Sequence, residues 1–502
     1  MAIPRTVWLQ CVFFAVLLAV LVWPAIYNGQ PIFFPDTTAY IRGADAGVQA
    51  AFGRRTAWSL SGDDAIVQPP PGVASPSAAS SGAAPPPSLS SIKDKTILAG
   101  RSPYYGALLY LGDLTGGFWL SIAVQAIAML AALWLTIRAL GLGTQPAVLA
   151  AIGGVALLSP LPFFVSFLMP DVFAGIGILT AASLLAAYGP LTGAVYLTAF
   201  ALLSVSAIVH DTHVLIVGSL LVLAAACNLV ARRWANWRGM VVIGLAIAVA
   251  LVAQAAFSTV VRRVVGAPPL RPPFLMARMV EDGPGYRYLR TTCPENGLAV
   301  CRFVGRLPVP AYIFLWERGP DGVFANASPE QRRQLSAEEV RFVLAVLAYD
   351  PWGELVASLR SVGTLLTTLR LDEFQYYPEY KESFAVKVPP EHFQIMQGTA
   401  AFRGTMPVRT FTVLSLATLL LGAAALAAAL AWRQARTSLE PAVARTAAWI
   451  VTGVLVNAAI CGVVSGAYPR LGVRIAWLIP LAAVLIAIAL AMPPKRSAPK
   501  SC

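Results

Sequence analysis

Residues 31–40 read Pro31-Ile32-Phe33-Phe34-Pro35-Asp36-Thr37-Thr38-Ala39-Tyr40 and follow directly on the first long apolar run, Val7 to Tyr27. An acid held between prolines and aromatics at a membrane exit sits at headgroup depth, where neither lipid nor bulk water solvates a carboxylate well. Such a group is costly to keep unless it is used. Two compatible roles are open to Asp36: capping a short interfacial helix that starts at Thr37, or serving a substrate that arrives from the membrane.

Outward from this stretch the chain alternates apolar runs with polar breaks. Hydrophobic residues make up 57% of the 502 residues and charged residues only 12%, about half the share of a soluble domain. Runs of about 20 apolar residues are needed to span a bilayer, and the sequence offers ten candidates: Val7–Tyr27, Phe118–Leu140, Ala147–Val165, Val172–Tyr188, Leu191–Val209, Val214–Val230, Met240–Val261, Val408–Trp432, Ala447–Gly466 and Ile475–Met492. The expected fold is therefore an all-α polytopic membrane protein of about ten transmembrane helices. The first run contains Trp23 and Pro24 and lacks a small-x-small cleavage site, so it is read as a span and not as a signal peptide.

Orientation follows from Lys and Arg in short loops. Arg5, Arg138, Arg232, Arg233, Arg238, Arg433, Arg436, Arg445, Lys495, Arg496 and Lys500 all fall on one face, which is expected to be cytoplasmic along with both termini. The net charge of +13 is then an orientation signal, and nucleic acid is not an expected partner. The large loops are then expected on the outer face.

The chain divides as follows. Residues 1–261 form a transmembrane module of seven spans, whose outer loop 28–102 carries Asp36 and a Pro/Ala/Ser/Gly-rich insert at about 65–93. That composition cannot offset its conformational entropy by burial, so disorder is expected there. Residues 262–406 form a mixed, mainly helical extracytoplasmic domain, 407–493 carry the last three spans, and 494–502 are a cytoplasmic tail. Within the outer domain, Ser336-Ala337-Glu338-Glu339 resembles a capping box. Cys293 and Cys301 flank a turn-rich stretch and are expected to form a disulfide in an oxidising compartment.

Several ionisable residues converge on the outer lip of the spans. Asp171 follows Met169-Pro170 at the start of the fourth run and reads either as a helix cap or as a second site acid. His210-Asp211-Thr212-His213 lies between the fifth and sixth runs. Its imidazoles and carboxylate suit a divalent ion, a hydrogen-bonded substrate, or plain helix-end solvation. Arg101, followed by Tyr104, opens a short amphipathic helix before the second span. Arg470 and Arg474, in Tyr468-Pro469-Arg470-Leu471-Gly472-Val473-Arg474, oppose the positive-inside pattern. Arginine matches phosphate through paired hydrogen bonds, so a lipid-linked phosphate is the expected ligand, with snorkelling to headgroups as the alternative.

An acid in outer loop one, a short amphipathic helix before the second span, a further acid at the outer start of the fourth, about ten spans and an outer domain together resemble the GT-C superfamily of membrane glycosyltransferases. The nearest pattern is that of bacterial enzymes using polyprenyl-phosphate sugars, the dolichyl-phosphate-mannose mannosyltransferase-like and lipid A aminoarabinose transferase-like groups. The likeness covers roughly the first 215 residues and the general topology. It implies that Asp36 is the catalytic base and that Asp171 assists or helps hold a metal. It also implies a bacterial inner (plasma) membrane with the large loops in the periplasm, and a polyprenyl-phosphate-linked sugar and a lipid or envelope-glycan acceptor as partners, with membrane lipids around them. Tyr40, Arg101, Tyr104, His210, Asp211, His213, Arg470 and Arg474 are the substrate-binding candidates. No cofactor is required by this reading, although the family allows a divalent metal. The family often has two adjacent acids in loop one, whereas here Asp36 is followed by Thr37 and Thr38. A lipid transporter or flippase, which would favour ionisable residues at mid-span, and a non-catalytic envelope assembly protein are the competing classes.

Overall fold

The structure, a computed structural model, describes residues 5–54, 56–60, 89–92, 94–143, 145–187, 191–231, 234–432 and 439–491. Most of the loop-one insert and the tail 494–502 lie outside these residues. The described chain is helical, and its extended contacts are isolated bridges, among them Ile32 with Phe167 and Leu98 with Leu270.

Helix α1 (Arg5–Asn28) is followed by α2 (Pro35–Phe52) in loop one, α3 (Pro103–Leu114) and α4 (Trp119–Ala139). Next come α5 (Pro146–Leu158), α6 (Val172–Ala186), α7 (Gly193–Val209), α8 (Asp211–Val230) and α9 (Trp237–Val265). After several short turns of helix, α10 (Pro329–Tyr349) and α11 (Pro351–Thr367) meet at a sharp bend, and α12 (Pro378–Lys387) precedes α13 (Val408–Ala431), α14 (Pro441–Val464), α15 (Pro469–Val473) and α16 (Leu478–Ala491).

Among the described residues six helices are long and apolar enough to cross a membrane: α4, α8, α9, α13, α14 and the stretch Pro469–Ala491 that α15 and α16 make together. Four more apolar helices, Val12–Asn28 within α1, α5, α6 and α7, fall short of that length. The expected ten spans are therefore six of spanning length and four shorter ones. The third run shows why: Pro160 and Pro162 cannot continue the hydrogen-bonded ladder, so α5 stops at Leu158 and a separate turn, Leu161–Val165, follows. The α10–α11 pair would add a seventh only if its 108° bend were one broken span.

Helix α6 is the centre. All of its residues are buried, as expected of a helix apolar on every side, and it packs against α4, α7, α8, α9 and α14. Small residues let these backbones approach. A Cβ on Gly453 of α14 would lie 2.4 Å from the Ile178 side chain, and one on Gly177 would lie 2.5 Å from Ser206 Oγ.

Segment 262–406 feeds two cores. Met276 to Val346 supply a separate apolar cluster, whereas Leu371, Phe374, Tyr376, Phe384, Val388 and Met396 join the main core beside Phe33 and Phe118. Tyr376 accepts a hydrogen bond on its hydroxyl from Phe33 N, 2.9 Å, so the segment after α11 is fastened to the loop-one stretch. Cys293 and Cys301 form a disulfide in the smaller cluster.

Candidate functional site

Local chemistry decides where Asp36 points. Pro35 starts α2, and the helix opening is closed by Thr37: its Oγ1 accepts from Phe34 N and donates to Leu168 O, both 2.9 Å. Phe34 is the capping position, and Asp36 lies in the first turn. The capping role expected for Asp36 therefore falls to Thr37, and the carboxylate is free to turn elsewhere. The bridge at Ile32, with Ile32 N to Ser166 O and Leu168 N to Ile32 O at 2.9 Å, lays loop one beside the segment that leads to Asp171.

Arg101 is set by the start of α3. Ser102 caps that helix, and its hydroxyl donates to Ile208 O at 2.9 Å, which anchors the residue before it. Helix α3 lies close on α2 because Gly106 has no side chain, since a Cβ there would be 2.5 Å from Tyr40 O. Arg101 Nη2 then donates to Asp36 Oδ1 in a short ion pair, and the guanidinium sits 5.1 Å over the Trp316 ring.

Asp36 keeps a side chain one-third exposed (33%), enough for a substrate to reach. Burial works against its charge, and the guanidiniums of Arg101 and Arg470 outweigh that, holding its carboxyl below the usual value. Tyr40, one turn on, is buried and meets Tyr105 edge-on at 5.2 Å between rings.

Arg470 completes the cluster. Its guanidinium lies 4.2 Å over the Phe34 ring, and its Nε is 3.9 Å from Asp171 and 3.7 Å from Glu373. Those distances give Coulomb attraction without hydrogen bonds. Nε and Nη1 of Arg470 and Nε of Arg101 are buried with no hydrogen-bond partner among the described residues, and so is Glu373 Oε2. Burial pushes the Glu373 carboxyl up, against the charge of Arg470.

The structure separates Arg474 from this group. Both arginines are expected at the outer start of the last span; Arg470 lies in the short helix α15 and Arg474 is the residue that ends it. Arg474 is fully buried, with Nη1 on Asp171 Oδ1 at 3.2 Å and Nη2 on Asn457 Oδ1 at 3.0 Å and on Cys461 Sγ at 3.3 Å. It is neither a headgroup anchor nor open to a ligand. Asp171 precedes α6 but makes no side-chain cap, because its carboxylate is taken by Arg474.

The other candidates make no hydrogen bond or ion pair to Asp36 or Arg470. His213, expected outside, is buried, with Nδ1 donating to Ser206 O at 2.9 Å. His210 Nδ1 accepts from Thr212 N at 3.2 Å, and burial together with the charge of Arg474 lowers its pKa to about 4, leaving it neutral. Asp211 pairs with Arg271 and Gln254, each at 3.0 Å. Tyr104 donates its hydroxyl to Ala253 O at 2.7 Å.

The acids do not suit a metal. Asp36, Asp171 and Glu373 each face a guanidinium, and a cation placed among them would meet Arg101, Arg470 and Arg474 as well. Among the described residues no three His, Cys, Asp or Glu side chains gather at metal-binding spacing.

Sequence reasoning missed Glu373 and Asn457. A lone amide inside an apolar run, as Asn457 is, was a readable signal. The acid pair Asp372-Glu373 beside the aromatic stretch Phe374 to Tyr377 was a weaker one.

Neither a family model nor a curated protein sequence matches this chain. A solved structure similar to it is the crystal structure of ArnT from Cupriavidus metallidurans bound to undecaprenyl phosphate, at 13% identity over 96% of this chain and 78% of that one, with a TM-score of 0.34.

Proposed function

We propose that this protein is a membrane glycosyltransferase that moves a sugar from a polyprenyl-phosphate donor to an acceptor hydroxyl at the outer face of the membrane. The observation that carries this reading is Arg470: a guanidinium 4.2 Å over the Phe34 ring, with two buried nitrogens, Nε and Nη1, unpaired, inside the cluster that holds Asp36. A planar fork of this kind fits a phosphate, and its depth at the end of a span fits a phosphate carried on a lipid.

In the proposed step, Asp36 takes the proton of the acceptor hydroxyl as that oxygen attacks C1 of the sugar. The bond between C1 and the phosphate oxygen breaks, and its electron pair leaves with the polyprenyl phosphate, whose charge Arg470 offsets. Asp171, tied to Arg474, holds Arg470 in place through charge.

Asp36→Asn tests the reading. The amide keeps the shape and loses the basicity, so transfer from an undecaprenyl-phosphate sugar should fall by about 10²- to 10⁴-fold while unfolding temperature stays near that of the parent. Retention of more than about a tenth of the parent rate would remove the general-base role.

A further inference from the structure

A cavity of about 380 Å³ opens on the far side of Arg101, between the start of α3 and the ends of α7, α8 and α9. Its polar rim is Arg101, Ser102, Asp211, Gln254 and Arg271. None of Arg470's neighbours, Phe34, Asp171 or Glu373, lines it. Towards the start of α9, against Phe200 of α7, lies a second, shallow hollow of about 290 Å³ whose walls, Phe200, Leu245, Ala248, Val249 and Val252, are wholly apolar. On α9 the two share one face: Ala248, Leu251, Ala255 and Ser258 recur every three or four residues, which spans about 15 Å of helix.

A charged head over an apolar slot is the shape of a lipid site. The head carries two guanidiniums. Arg271 is mostly exposed and pairs with Asp211, while Arg101 has a buried Nε without a partner. Arg101 also touches Asp36, so a molecule seated here lies one guanidinium away from the proposed base, whereas Arg470 stands outside the cavity with its own phosphate-binding fork.

We propose that this groove seats the acceptor, and that the acceptor is an anionic membrane lipid, with its phosphate between Arg101 and Arg271 and one acyl chain in the α7–α9 seam. The assignment of this lipid as acceptor rests on the transferase reading above; the lipid site itself does not. Donor and acceptor would then approach Asp36 by different routes, the donor phosphate through Arg470 and the acceptor hydroxyl past Arg101.

The test uses the full chain in detergent, with phosphatidylglycerol and undecaprenyl phosphate as separate probes and retention read by native mass spectrometry. Ala248 and Ala255 are exposed on α9, so Ala248→Trp and Ala255→Trp fill the seam without disturbing the core. Each should cut phosphatidylglycerol retention by about tenfold, the equivalent of two methylenes left unburied, and Arg271→Gln should weaken it as well. Undecaprenyl phosphate should stay bound in all three and be lost in Arg470→Gln. Unchanged phosphatidylglycerol retention overturns the proposal, as does loss of undecaprenyl phosphate from the tryptophan variants, which would make the seam the donor's. If the tryptophans displace phosphatidylglycerol but Arg470→Gln still holds undecaprenyl phosphate, the groove stands and the donor reading falls.

Discussion

Two arginines one helical turn apart, Arg470 and Arg474, show how one sequence feature can serve two ends. Around Arg474 the protein supplies partners for both terminal nitrogens, Asp171 and Asn457 with Cys461 as a third contact, and Nε alone stays unpaired. Around Arg470 the nearest acids stand back at 3.7 and 3.9 Å, and an aromatic ring supports the guanidinium from below. The first cluster is closed and holds helices α6, α14 and α15 together. The second leaves Nε and Nη1 of its guanidinium unpaired, the gap that the proposed function fills with a phosphate.

Removing Arg474 should produce the largest effect on folding. Arg474→Leu leaves the Asp171 carboxylate buried without its partner, which costs about 3–5 kcal/mol. The variant should accumulate poorly and unfold at a clearly lower temperature, while Arg470→Leu should unfold close to the parent. Adding Asp171→Leu to Arg474→Leu should recover part of the loss, because a buried pair replaced by apolar side chains is often tolerated. Equal destabilisation by Arg470→Leu and Arg474→Leu, measured by thermal unfolding in the same detergent, would erase the contrast.

The contrast sharpens when the readout is binding. Arg470→Gln removes charge-assisted hydrogen bonds to a phosphate, each of about 1.5–3 kcal/mol, so affinity for undecaprenyl phosphate should fall by roughly 10- to 100-fold with little change in unfolding temperature. Arg470→Lys should rescue part of this, since an ammonium keeps the charge and loses the planar fork. Undiminished affinity in a folded Arg470→Gln protein would leave the open cluster without a ligand.

How much of this was legible in the sequence depends on where each partner comes from. Asp36, Thr37 and Phe34 stand within one turn of each other, so the importance of the stretch could be read locally. The fate of Arg474 could not. A guanidinium near a span end looks the same whether it snorkels or is buried, and the choice is made by Asp171 and Asn457, which other helices contribute. The expected pairing of Arg470 with Arg474 on one phosphate failed for that reason. Glu373 was hidden by distance along the chain: only the packing of segment 371–388 into the main core brings it to Arg470. The six cysteines were easier, because Cys293 and Cys301 share one short loop. The length of the third span was less legible, because its apolar run was read across Pro160 and Pro162, where the helix stops at Leu158.

The smallest effect at neutral pH, and the most specific, concerns Arg101. Asp36 is held below its ordinary value of 3.8, with burial opposed by Arg101, Arg470 and Lys387. It is therefore ionised throughout the neutral range, and the acid limb of transfer due to Asp36 should lie below that value. Arg101→Gln removes the nearest of the opposing charges and leaves the burial, so the carboxyl moves up. A protonated Asp36 cannot accept the hydroxyl proton, so activity in the variant should start to fall at a higher pH than in the parent. Near pH 8 the base is ionised in both, so any difference there reports phosphate contact alone. The same depressed value contributes stability above the unfolded pKa that is lost as pH falls through the folded one, and Arg101→Gln should lose that contribution too. Profiles of kcat/KM against pH for the two proteins decide it: superimposable acid limbs would mean that Arg101 does not set the charge of Asp36, and the open cluster would then have to be redrawn around Arg470 alone.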